Sequence, residues 1–275
     1  MAVIVGAFGV PHTPAFPGLV ETEGPDCEVA RHYARVRQEL VDARVDVVVL
    51  LDSDHLNTFF DNVPTFAIGV ADSFTGPNDA TENLAVRCVP SDRKSAALLH
   101  AGLVGSGFDT AYLRRFSVDH SVLVPVHFLL PELGVPVIPI YINGIVSPLP
   151  PAARCRDLGR TIATLIADWP DHLRVAVVAS GSFSLEVGGP RIAPGRNWGV
   201  PAPQWAARVV EHLLQGDTDA LIHEATPRQL ADAGNVGGEL LNWIALLGVI
   251  EQASPDFCEL QEQFGHAYAA WRLAP

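Results

Sequence analysis

Five short apolar runs rich in β-branched residues, separated by longer segments of helical spacing, constrain this chain more than any other feature. Ala2–Phe8, Val45–Leu51, Thr65–Val70, Val135–Ile142 and Arg174–Ala179 read as buried strands. Glu28–Ala43, Asp92–Val104, Pro151–Ala167, Ala202–Leu214 and Gly238–Ile250 read as helices. Strands that alternate with helices predict an α/β fold, a mixed or largely parallel central β-sheet flanked by helices. At 275 residues one large domain over 1–275 is expected. The Pro-rich stretch Ser147–Pro151 reads as a surface turn before a helix rather than a linker. The C-terminal third is expected to be mostly helical and to pack over the sheet.

Charge and cysteine usage exclude several partners. The formal charge of −13, with no basic cluster denser than Arg114 and Arg115, argues against nucleic acid or an anionic membrane surface. No run reaches the roughly 18 apolar residues of a membrane span. Cys27, Cys88, Cys155 and Cys258 stand far apart without a CxxC spacing, which fits reduced thiols. The N-terminus has no basic region before its apolar run and reads as a strand, not a signal peptide. A cytoplasmic protein is expected. Hydrophobic residues make up 48% of the chain, with five tryptophans among them, so some apolar surface is expected to close a homo-oligomer, most simply a two-fold dimer.

Parallel sheets place ligand sites beyond the carboxyl ends of their strands. Two histidines fall there. The first strand runs into Gly9-Val-Pro-His12-Thr-Pro14, and the second into Asp52-Ser-Asp54-His55. Either alone reads as a turn or capping residue; two at equivalent strand ends point to a metal. A divalent ion on two neutral imidazoles needs a carboxylate, and two His plus one carboxylate leave positions open for substrate and O₂. The candidates are Asp52, Asp54 and Glu239. Glu239 follows Gly237-Gly238 at the mouth of the almost wholly apolar Leu240–Ile250, where a buried carboxylate calls for a cation. Asp54 reads as a structural group beside His55. Other chemistries fit poorly. Ser180-Gly-Ser182-Phe-Ser184 is no G-x-S-x-G elbow. Gly6-Ala-Phe-Gly9 is no dinucleotide fingerprint, since prolines follow where a helix should open.

Taken in order, Val10-Pro-His12-Thr-Pro14, Asp54-His55, Asp61–Gly69, Val118-Asp-His120, Gly189-Pro-Arg191 and Gly238-Glu239 resemble the class III extradiol ring-cleavage dioxygenases, the superfamily of the protocatechuate 4,5-dioxygenase beta subunit. The resemblance runs roughly from residue 5 to residue 250. It implies an α/β sandwich and an Fe(II) cofactor held by His12, His55 and Glu239. It also implies a catalytic, substrate-contacting His120, and a small aromatic substrate and O₂ as partners. Ser182, Ser184 and Leu185 are the expected substrate-facing loop residues. If the segment after His120 is helical, His127 lies two turns further on roughly the same face and is a further substrate-facing candidate, with core packing as its default fate. The remaining histidines, His32, His100, His172, His212, His223 and His266, read as surface residues.

One departure stands out. Where the family carries an acid/base histidine before Gly-Pro-Arg, this chain has Leu185. Positioned acid/base groups contribute about 10²–10⁴-fold in rate. Poor activity on protocatechuate and better activity on a nitrogen heterocycle, such as a hydroxypyridone, are therefore expected. A metal-dependent hydrolase on the same residues and a non-catalytic partner subunit are the competing expectations.

Overall fold

Elements appear in the order that the apolar runs predict. The computed structural model describes residues 1–251 and 253–273. The first half contains β1 (Val3–Val10), α1 (Phe16–Glu23), α2 (Glu28–Asp42), β2 (Val47–Asp52), β3 (Phe66–Gly69), β4 (Ser73–Gly76), β5 (Arg87–Pro90), α3 (Arg93–Gly105), β6 (Ala111–Leu113) and α4 (His120–Leu129). The second half contains β7 (Val137–Ile142), α5 (Ala152–Ala167), β8 (Arg174–Ser180), β9 (Glu186–Val187), β10 (Trp198–Gly199), α6 (Pro203–Gln215), α7 (Thr218–Glu224), α8 (Pro227–Asp232), α9 (Leu240–Ile250), β11 (Phe257–Gln261) and β12 (His266–Arg272).

The central sheet is mixed, with eight strands in the order β11-β12-β1-β8-β2-β7-β3-β6. Its middle, β1-β8-β2-β7, is parallel; β12 runs antiparallel to β1, and β3 antiparallel to β7. Every residue of β2 and β7 is buried. The reason is visible in β2, where Val47, Val49 and Leu51 face the α5/α9 side while Val48 and Leu50 face α2 and α4. A strand covered on both sides reads as a continuous apolar run.

The strongest helical layer is α5 against α9. All eleven residues of α9 are buried, so it is a core helix with no wet face. Gly159 lets the two helices touch: a Cβ there would stand 1.8 Å from the Ala245 carbonyl oxygen, and one on Gly248 would stand 2.0 Å from that of Arg156. α5 starts at Ala152, directly after the Pro-rich turn.

The expectation of a mostly helical C-terminal third is corrected at its end, where β11 and β12 form an antiparallel hairpin that extends the sheet beyond β1. Ala267, Ala269 and Trp271 pack on one face and Tyr268 and Ala270 on the other. The alternation is masked because both faces are apolar.

Candidate active site

The carboxyl ends of the adjacent strands β1, β8 and β2 meet the short 3-10 turn Gly237–Glu239 that opens α9. This junction brings His12, His55, His120 and Glu239 together. Glu239 Oε1 lies 3.1 Å from His12 Nε2 and 3.0 Å from His55 Nε2. The ring of His120 stacks on His55 with centroids 4.5 Å apart and lies 5.8 Å from His12. One nitrogen from each of the three histidines falls within 4.8 Å of the others.

Each imidazole is oriented by what its other nitrogen touches. His12 Nδ1 lies 2.8 Å from Ser180 Oγ at the end of β8 and 3.7 Å from Asp52. His55 Nδ1 donates to Asp119 Oδ2 at 3.1 Å, and the backbone N–H of His55 donates to the same oxygen at 2.9 Å. Asp119 also caps α4, its other oxygen accepting the Ser121 N–H at 3.0 Å. His120 Nδ1 donates to Asp79, whose Oδ2 also accepts the His120 backbone N–H. Both Nε2 atoms around Glu239 therefore point inward with their Nδ1 partners fixed, the arrangement that metal-ligating histidines adopt.

A metal fits this donor set. Ligands at about 2.1 Å that meet at right angles hold their donor atoms about 3.0 Å apart. The two Nε2–Oε1 separations already have that value. Glu239 Oε2 is held from the other side by the backbone N–H of Ser182 at 2.7 Å. Its close approach requires Gly181, with φ +146°, whose Cβ would stand 2.7 Å from that of Glu239.

The buried charges compensate one another. Burial works against ionising Glu239, yet His12 and His55 hold its carboxyl far below the ordinary range. Burial likewise opposes charge on His55, but Asp119 and Glu239 lift its pKa well above normal. Asp52, buried with one unpartnered oxygen among the described residues, is pushed up to about 7 by desolvation. Burial lowers the pKa of His120 against the pull of Asp79, keeping its Nε2 a free lone pair near neutrality.

Asp54 accepts the backbone N–H groups of Asn57, Thr58 and Phe59, so it builds the turn after His55. His127 sits in the last turn of α4, about 10 Å along the axis from His120, with its ring against Phe128. The Ser184 hydroxyl donates to the Ala233 carbonyl and accepts the Ala202 N–H, which ties the loop together. Ser182 contributes its backbone, and Leu185 is half-buried with its carbonyl accepting the Val236 N–H. His266 is no surface residue: it is fully buried at the start of β12.

Reading the sequence alone missed the roles of Asp119, Asp79 and Ser180. An Asp followed two residues later by Ser at a helix start is a capping signal that fits Asp119. Asp79 lies on a loop after β4 and reaches His120 only through the tertiary fold, so no local pattern marks it.

The family model of the catalytic LigB subunit of aromatic ring-opening dioxygenase matches residues 6–270, and the chain belongs to that family. Among similar proteins, a 2,3-dihydroxyphenylpropionate/2,3-dihydroxicinnamic acid 1,2-dioxygenase of Burkholderia vietnamiensis is 28% identical, over 89% of this chain and 87% of its own length. One of the same name from Klebsiella pneumoniae is 34% identical over 66% of this chain and 57% of its own length. A gallate dioxygenase of Pseudomonas putida is 29% identical over 58% of this chain and 47% of its own length. The crystal structure of an uncharacterized protein from Escherichia coli K12 superposes with a TM-score of 0.57 at 13% identity, covering 97% of this chain and 98% of that one, which shows the shared fold.

Proposed function

We propose that this chain is an Fe(II)-dependent extradiol dioxygenase that opens a small aromatic ring bearing two adjacent donor atoms, with both atoms of O₂ entering the product. The observation that carries the reading is the pair of Nε2–Oε1 separations of 3.1 and 3.0 Å around Glu239. Ferrous iron held by His12, His55 and Glu239 would supply the redox link between O₂ and a chelated ring.

The protein's own groups do the rest. His120 stands against the ligand set with its Nδ1 proton given to Asp79, so its Nε2 is the lone pair available to a substrate hydroxyl. Asp79 and Asp119 fix two imidazole orientations that would otherwise cost rotamer freedom on binding. Leu185 offers no proton-transferring group. We therefore assign the substrate to rings that chelate with little base assistance, such as hydroxypyridones or acidic diols, over protocatechuate.

The four cysteines are unpaired, which suits a reducing compartment, and we place the enzyme in the cytoplasm as a dimer. Among the described residues no helix is long and apolar enough to cross a membrane.

The test is anaerobic reconstitution with Fe(II), addition of catechols, aminophenols and hydroxypyridones, and then admission of O₂. Oxygen uptake matched by loss of the aromatic absorbance supports the assignment. Tight zinc binding with hydrolysis and no oxygen uptake would put a hydrolase in its place.

A further inference from the structure

His266 is a buried imidazole that the reaction described above does not use. It begins β12, which runs antiparallel to β1, so it lies at the carboxyl end of β1 where the histidine cluster sits. The register pairs Gly6–Gly9 of β1 with Arg272–Ala269 of β12, so the chain that leads back to His266 runs toward the end of β1 from which the His12 loop departs. The residue before it, Gly265, accepts backbone N–H bonds from both Phe183 and Ser184. The start of β12 is thus tied to the loop that carries Leu185.

The ring has one nitrogen committed and one free. Gln261 Oε1, which can only accept, lies 2.9 Å from His266 Nε2, so Nε2 carries the proton. Nδ1 is then a bare acceptor, and it has no partner among the described residues although the side chain is fully buried. Phe16 and Phe264 stand against the ring at 5.4 Å, and Trp198 stacks on Phe264. A buried acceptor in so apolar a setting calls for a donor from elsewhere.

Resting on the dioxygenase reading of the site, we infer that His266 is a specificity-determining residue whose Nδ1 accepts a hydrogen bond from the O–H or N–H that the ring substrate keeps on binding. The imidazole suits an acceptor and not a base. Burial pushes its pKa down to about 3, so it stays neutral at working pH. It thereby favours a substrate that chelates while still carrying one proton, such as a monoanionic diol or a heterocyclic N–H. The same substrate class needs no histidine at position 185.

The experiment uses ¹⁵N-histidine-labelled protein loaded with Zn(II), a diamagnetic ion, and titrated with catechol. The His266 Nδ1 resonance is expected to move upfield toward the hydrogen-bonded value on catechol binding. His266→Gln keeps the contact to Gln261 and removes the Nδ1 acceptor; it is expected to weaken catechol binding about tenfold. His266→Asn places an oxygen where Nδ1 stood and is expected to stay within about threefold of wild type. Catechol binding that leaves the Nδ1 resonance where it was overturns this inference alone, even if neither variant folds. Failure of the zinc-loaded wild type to bind any of catechol, an aminophenol and a hydroxypyridone overturns the dioxygenase reading and this inference with it.

Discussion

Asp119 serves two structures with one carboxylate. One oxygen caps α4 through the Ser121 N–H, and the other holds both the backbone and the ring of His55. Asp119→Ala should therefore lower metal affinity about 10–100-fold and cost about 1 kcal/mol of stability through the lost cap. Equilibrium dialysis and urea denaturation read the two effects separately. Asp79 touches none of His12, His55 and Glu239 but fixes the tautomer of His120. Asp79→Asn should leave metal content unchanged and lower kcat about 10²-fold or more, since a misplaced acid/base group forfeits that contribution. A parallel loss of metal would contradict the assignment of His120 as the substrate-facing member.

His266 adds a pH signature at the same scale. Its folded pKa of about 3 lies below the unfolded value of 6.5, so the unfolded chain binds more protons between those two points. Its contribution is fully present above pH 6.5 and is lost as pH falls toward 3, by on the order of 5 kcal/mol at most. Urea unfolding of wild type and His266→Gln between pH 7 and pH 4 should show a shallower acid loss in the variant. Equal slopes would mean that the imidazole ionises in the folded state.

At the scale of elements, the site depends on how closely α9 approaches the sheet, because α9 carries Glu239 at its start. Gly159→Ala would drive a methyl into the Ala245 carbonyl and push α5 off α9. The expected cost is about 1–3 kcal/mol, or a fall in Tm of about 2–4 °C per kcal/mol for a chain of this size. Metal affinity should fall with it, as measured by calorimetric titration. The strands β1, β2, β3, β7 and β8 and the helices α2, α3, α5, α6 and α9 were legible in the sequence because each is either uniformly apolar or regularly amphipathic. α4 was read only conditionally, since Pro125 interrupts its pattern. The β11–β12 hairpin was missed because β12 is buried on both faces and runs His-Ala-Tyr-Ala-Ala-Trp, a composition equally at home in a helix. The same misreading put His266 on the surface. Asp79 reaches His120 from a segment far away in sequence, and only the fold brings the two together.

At the scale of the whole molecule, the parallel core β1-β8-β2 delivers His12, Ser180 and His55 to one edge, and α9 closes that edge with a carboxylate. The dimer proposal is tested by sedimentation at micromolar concentration, where a mass near twice 29.5 kDa is expected and a single-chain mass would refute it. The central claim is that His12, His55 and Glu239 hold the iron at which a ring is opened. Its most direct test is iron content together with oxygen uptake in the Fe(II)-reconstituted wild type and in His12→Ala, His55→Ala and Glu239→Gln. The account predicts one iron per wild-type chain and one O₂ consumed per ring opened, with each substitution abolishing both. Full iron content and undiminished oxygen uptake in any one of the three variants would contradict it.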